Sequence, residues 1–277
     1  MSMKFTEMLV ARMKEIESCA CVGLDLAFSR IPQIFHGSDK EKTLRIFGRH
    51  VIDLTAECAA VFKANIAFFE SQGWRGTRAL EYLRGYIRKK GVPFILDCKR
   101  GDIGKTAAEY AEMAFGIYEA DAITIPQYLG SDSAFEFLNR GFAFVLVRTT
   151  NKSARDLQDL VIDDSDKRKL FLHVASLVAG WREQYPECGV VAGGTYPQDI
   201  PNICSITGNA PVLIPGIGAQ GAPLSDVVKA VALNKAEDRP FVINSSSKID
   251  FAPDPAEAAK ALREDINSYL PGGFYDY

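Results

Sequence analysis

The sequence predicts an α/β protein of the TIM (β/α)8-barrel type, a single domain over residues 1–277 with a short N-terminal helix, and three observations carry that prediction. Eight short runs rich in β-branched and aromatic residues alternate with longer runs of helical period from end to end. No low-complexity segment or Pro/Gly/Ser-rich linker interrupts them. The chain has 277 residues, and eight βα units occupy about 250. A doubly wound open sheet is the alternative, but it calls for a glycine-rich dinucleotide turn after the first strand. Here that strand ends GLDL, with one glycine.

The opening stretch, MSMKFTEMLVARMKEIES, has amphipathic helical spacing with interspersed charges rather than the basic start and apolar core of a secretory leader. The first strand, 20–26 (ACVGLDL), leads into the helical run DKEKTLRIFGRHVIDLTAEC, and the second, 60–69 (AVFKANIAFF), into TRALEYLRGYIRKKG. The third, 93–99 (PFILDCK), is followed by KTAAEYAEMAFGIYEA, then come strands 122–125 (AITI) and 142–149 (FAFVLVRT) and the run RKLFLHVASLVAGWREQY. Strands 189–193 (GVVAG), 211–217 (PVLIPGI) and 240–246 (PFVINSS) complete the set, with SDVVKAVALN between the last two. The final run, DPAEAAKALREDINSYL, opens with Asp254 as an N-cap and Pro255 at the first helical position, and stops before Pro271 and Gly272.

Composition excludes several classes of function. A 47% hydrophobic content supports a large core, while a net charge of −3 lacks the basic excess that nucleic-acid binding requires. No apolar run reaches the roughly 18 residues of a membrane span. The six cysteines (Cys19, Cys21, Cys58, Cys98, Cys188, Cys204) include no CxxC pair, so they read as reduced thiols of a cytoplasmic protein. His36, His50 and His173 fall in a loop and on two helical runs, with no spacing that builds a metal site.

Charge instead gathers where strands end. Asp25 follows the first strand, Lys63 and Asn65 lie in the second, and Asp97 and Lys99 close the third. In a barrel the carboxyl ends of the strands face one pocket. Residues 97 and 99 are two apart and leave the same side of a strand, whereas Cys98 points away into the core. Burying such charges is costly, and a fold needing only stability could place apolar side chains there. Their accumulation therefore marks a candidate site. A second segment, IPGIGAQGAP (214–223), brings Gly216, Gly218 and Gly221 between a strand and a helix, where backbone N–H groups can approach a phosphate.

The segments VFKANIAFFE, ILDCKRGDIGKTA and PGIGAQG, in that order, resemble the orotidine 5'-phosphate decarboxylase family, most closely the branch with FKxxIAFFE and DxKRGDIGxT motifs. The resemblance implies a cofactor-free, homodimeric barrel enzyme that converts orotidine 5'-phosphate to UMP and carbon dioxide, the last step of de novo pyrimidine biosynthesis. It assigns catalysis to Lys63, Asp97, Lys99 and Asp102. It places Lys63, Asp97 and Lys99 in one subunit's pocket and brings Asp102, Ile103 and Thr106 in from the other. It further assigns Asp25 to the ribose, Thr150 to the pyrimidine, and Gly218, Gln220, Ser246, Ser247 and Lys248 to the phosphate end. Where the family carries a phosphate-binding arginine after the eighth strand, INSSSKIDF aligns Ser247, with Lys248 beside it. Lys248 or the N–H groups of the 245–248 turn are expected to substitute in part. A metal-dependent sugar-phosphate lyase on a related barrel is a rival reading. It would favour a carboxylate at the position of Lys63.

Overall fold

In the computed structural model, eight parallel strands pair in chain order and the last returns to the first, closing a barrel. The structure describes residues 3–163, 167–217, 221–233 and 239–270. The strands are β1 (Ala20–Gly23), β2 (Val61–Asn65), β3 (Phe94–Asp97), β4 (Ala122–Ile125), β5 (Phe142–Arg148), β6 (Cys188–Ala192), β7 (Val212–Ile214) and β8 (Phe241–Ser245). Every strand is buried along nearly its whole length, as expected of a parallel sheet covered by helices on the outside and filled by side chains within.

The helical runs form where their apolar spacing places them. Helix α1 (Phe5–Ile16) packs Phe5 against the rings of Phe142 and Phe144, 4.6 and 5.8 Å away, and so covers the amino end of the barrel beside β5. Between β1 and β2 lies α2 (Lys40–Thr55), whose N-cap Asp39 accepts from Lys42 N. After β2 come α3 (Ala67–Glu70) and α4 (Trp74–Lys89), and after β3 comes α5 (Gly104–Ala111), continued by a π-turn over Glu112–Ile117. The remaining helices are α6 (Ser131–Leu138), α7 (Arg155–Gln158), α8 (Leu170–Gln184), α9 (Ile200–Thr207), α10 (Leu224–Ala232), α11 (Ser247–Asp250) and α12 (Pro255–Tyr269). Asp254 caps α12 by accepting from Ala256 N and Glu257 N, as its position before Pro255 predicts. Pro271 and Gly272 lie outside the described residues.

Several strands stop earlier than their sequence predicts, and the reasons are local. The run 60–69 is a strand only to Asn65, because the Asn65 side chain accepts from Ala67 N and turns the chain into α3. The run 93–99 ends at Asp97, and Lys99 takes a left-handed conformation, φ 46°. β1 ends at Gly23, three residues before its predicted end, and β7 ends at Ile214, ahead of Gly216 at φ 84°. β6 instead begins one residue early, at Cys188. All six cysteines are free and buried.

One glycine fixes how the ends of β1 and β8 meet. A Cβ on Gly23 would lie 1.9 Å from Ser246 Oγ and 2.6 Å from Ser246 Cβ, so the Ser246 side chain occupies the space that glycine leaves. Gly23→Ala is expected to destabilise the fold by about 1–3 kcal/mol through overpacking. Adding Ser246→Gly should recover much of that loss. Urea midpoints of the two single variants and the double variant measure it, and an additive double variant would disprove the contact.

Candidate active site

Four charged side chains predicted from the strand ends do converge at the carboxyl rim. Lys63, 3% exposed within β2, donates to Asp97 Oδ2 at 3.0 Å and stands 3.9 Å from Asp25 Oδ1. Asp97 Oδ1 accepts from Lys99 Nζ at 2.5 Å and from Thr124 Oγ1 at 2.8 Å. Thr124 Oγ1 in turn accepts from Lys99 N at 3.1 Å. One carboxylate thus separates two ammonium groups, and a β4 hydroxyl pins both the carboxylate and the backbone of Lys99.

The route to this geometry differs from simple strand alternation. Lys99 lies beyond the end of β3, and its left-handed backbone turns the side chain back onto Asp97. Cys98 is buried, as predicted, with its thiol toward Thr124 O, and burial pushes its pKa up to about 11. That shift leaves it a poor nucleophile. Asn65 contributes its backbone N–H to Asp25 Oδ1 at 3.3 Å, while its side chain is spent on α3.

The electrostatics hold Lys63 and Asp97 charged. Burial opposes the charge of Lys63, but Asp25 and Asp97 outweigh it and raise the pKa above the usual lysine range. Burial likewise opposes ionisation of Asp97. Lys63 and Lys99 overcome it and bring that pKa well below the usual carboxylate range.

Asp102, Ile103 and Thr106 do not join this cluster within the chain. Asp102 Oδ1 accepts from the next residue's N–H at 2.8 Å, Ile103 is 58% exposed, and Thr106 is exposed on the first turn of α5. Arg100, also part of the charged segment, pairs with Glu70 of α3 and so belongs to the outer wall.

A cleft beside the cluster collects the residues predicted for the other end of a ligand. Thr150, Gly216, Ser246, Ser247 and Lys248 line it, together with Asn151, Lys152, Thr195 and Asn244. Gly218 and Gln220 lie outside the described residues. Among the described residues, no group of His, Cys, Asp and Glu could hold a metal ion, and no helix is long and apolar enough to cross a membrane.

Sequence reasoning passed over Thr124, Lys152 and Asp250. Thr124 could have been found as the only hydroxyl in the apolar run AITI, whereas Asp250 gives no signal beyond its place after the eighth strand. Asp250 ends α11 and is 1% exposed. Its Oδ2 accepts from Asp25 N at 3.1 Å, and its Oδ1 is buried without a hydrogen-bond partner among the described residues. Burial, then the neighbouring Asp25 carboxylate, push its pKa well above the carboxylate range.

An eight-stranded parallel barrel with a lysine–carboxylate cluster and a polar cleft at the carboxyl ends of its strands defines a TIM-barrel enzyme. The sequence matches the Orotidine 5'-phosphate decarboxylase / HUMPS family over residues 21–262, and the chain belongs to that family. An orotidine 5'-phosphate decarboxylase of Halobacterium salinarum is 40% identical over 278 residues, which cover 96% of this chain and all of the relative. Among solved structures, Leishmania donovani OMP decarboxylase superposes with a TM-score of 0.83 at 34% identity, covering 96% of this chain and 98% of the other. Leishmania donovani UMP synthase gives a TM-score of 0.86 at 36% identity over 97% of this chain, which spans 57% of the synthase chain.

Asp250 yields a pH prediction. Its raised native pKa means that the folded chain holds a proton that the unfolded chain has released, between about pH 4 and the native value. The stability it contributes is full below about pH 4 and declines as pH rises through that window, by at most about 1.4 kcal/mol per pH unit. Asp250→Asn mimics the neutral carboxyl, so the stability of wild type minus that of the variant should fall across the window in urea titrations. A pH-independent difference would show that Asp250 is ionised in the fold.

Proposed function

We propose that the chain decarboxylates orotidine 5'-phosphate to UMP and carbon dioxide without a cofactor, the last step of de novo UMP biosynthesis, in the cytoplasm and as a homodimer with shared sites. The observation that carries this reading is the Lys63–Asp97–Lys99 array, in which Asp97 holds the Lys99 ammonium at 2.5 Å on the barrel rim. Breaking the bond between C6 and the carboxylate leaves its electron pair in the plane of the pyrimidine ring, where the π-system cannot delocalise it. The ammonium of Lys99 stabilises that pair electrostatically and then transfers a proton to C6, while carbon dioxide departs and solvent reprotonates the amine. Asp97 aims the donor, with Asp102 brought in from the other subunit, and Lys63 bridges the acids and a ribose hydroxyl. Asp25, reached by both Lys63 and the Asn65 N–H, takes the ribose.

The outward set of Asp102, Ile103 and Thr106 then serves the partner subunit's pocket. Exposure of Ile103 (58%), Tyr128 (79%) and Leu129 (46%) around that set supports a second copy docking there. Thr150 meets the pyrimidine, and Ser246 and Ser247 take the phosphate, to which the resemblance also assigns Gly218 and Gln220. Lys248 and Lys152 of the cleft replace, as point charges, the bidentate fork that an arginine at position 247 would offer.

A direct ultraviolet assay of orotidylate loss by the purified protein tests the activity. Lys99→Ala should lower turnover at least about 10^4-fold, since it removes both the proton donor and the charge. Lys99→Ala chains mixed and exchanged with Asp102→Ala chains should recover about one quarter of wild-type activity, because each heterodimer has one intact site. No recovery after proven exchange would exclude shared sites. Ser247 is exposed, so Ser247→Arg has room to reach the cleft and should lower KM about 10-fold. An unchanged KM would remove position 247 from the phosphate site.

A further inference from the structure

Arg148 carries a buried charge that the chemistry above does not use. It ends β5 just where the pairing with β6 shifts register, and it is 2% exposed. Its guanidinium reaches Asp159 Oδ1 at 3.1 Å, beyond α7, and Asp199 Oδ2 at 3.0 Å, ahead of α9. It also lies over the rings of Tyr196 and Phe171, 4.1 and 4.9 Å from their centroids. Lys169 stands 3.3 Å from Asp159 and balances the second carboxylate.

These contacts join two loops that hold one short segment. Gln158 accepts from Thr149 N at 3.0 Å and donates to Thr149 Oγ1 at 2.8 Å. From the other loop, Thr195 Oγ1 donates to Thr150 O at 3.2 Å, Tyr196 Oη donates to Asn151 O at 3.3 Å, and Gly193 N donates to Arg148 O at 2.8 Å. The segment 149–151 is therefore held from both sides, Thr149 by Gln158 and Thr150 and Asn151, which line the cleft, by the β6 loop.

We propose that Arg148 is a positioning residue: by clamping Asp159 and Asp199 it fixes the β5 and β6 loops as one unit and thereby sets where Thr150 meets the pyrimidine. The inference rests on the decarboxylase reading for the role of Thr150. Stability alone does not account for the arrangement. Arg148 Nη1 is buried without a hydrogen-bond partner among the described residues, and an incompletely satisfied buried ion cluster is inferior to apolar packing. The cluster touches no ligand-facing atom directly, so its effect must pass through the loop backbone.

The test separates the base from the rest of the nucleotide. Arg148→Met combined with Asp159→Asn and Asp199→Asn removes the clamp and leaves, of its charges, only that of Lys169, which is 46% exposed. Calorimetric affinities for UMP and for ribose 5-phosphate are compared in wild type and variant, with kcat and KM for orotidylate alongside. The expected result is a loss of UMP affinity of about 10-fold or more with ribose 5-phosphate unchanged within about 2-fold. Gln158→Leu, which leaves the ion cluster intact and releases Thr149, should shift UMP in the same direction and serves if the triple variant does not fold. Equal losses for both ligands, or no loss for either, in a folded variant would overturn the positioning role. Wild-type protein that neither binds UMP nor consumes orotidylate would instead overturn the decarboxylase reading.

Discussion

The position of Asp97 between two lysines is the constraint from which the rest of the rim follows. Two ammonium groups at the mouth of a barrel repel each other and lose hydration, and a single shared carboxylate offsets both penalties only if its two oxygens point apart, one toward each lysine. That requirement fixes Lys63 within β2, sets the level at which β3 must end, and needs a hydroxyl from β4 to hold the carboxylate in plane. Asp25 then adds the second negative charge and leaves the four-residue cluster formally neutral. The apolar barrel beneath supplies the low-polarity surroundings in which so compact an arrangement of charge keeps its strength.

Below the rim, the barrel was legible in the sequence because its signals are local. Each strand is a short β-branched run and each long helix repeats its apolar residues at helical spacing, so β4 can be read from four letters, AITI, and the cap of α12 from two, Asp254 and Pro255. The strand ends were less legible, since one side-chain hydrogen bond decides them. Asn65 folds the chain into α3 with a single acceptor, against a run that stays apolar to residue 69. Of the site, Lys63, Asp97 and Lys99 announced themselves as charges inside apolar runs. Thr124, Asp250 and the partners of Arg148 did not, because their roles arise from elements far apart in the chain, as with Asp250 and Asp25, 225 residues distant.

The two ends of the site differ in how tightly they are built. The charged cluster has defined partners for every group, whereas the cleft beside it is lined by hydroxyls, glycines and the ammonium groups of Lys152 and Lys248. A planar fork dictates the orientation of a phosphate; ammonium groups on long stems follow it. On the proposed reading, this division places geometric precision where bonds change and tolerance where the ligand is merely retained.

Lys99 carries a backbone cost that, on the proposed reading, its chemistry repays. A lysine in the left-handed region loses about 1–2 kcal/mol relative to glycine, which adopts φ 46° freely. Glu17, Glu119 and Lys167 share that conformation, at φ 50°, 45° and 46°, and under selection for folding alone a glycine could take any of the four positions. Among descendants of this chain, a glycine at position 99 in an otherwise intact barrel would be the signature of a copy released from catalysis and kept for its shape.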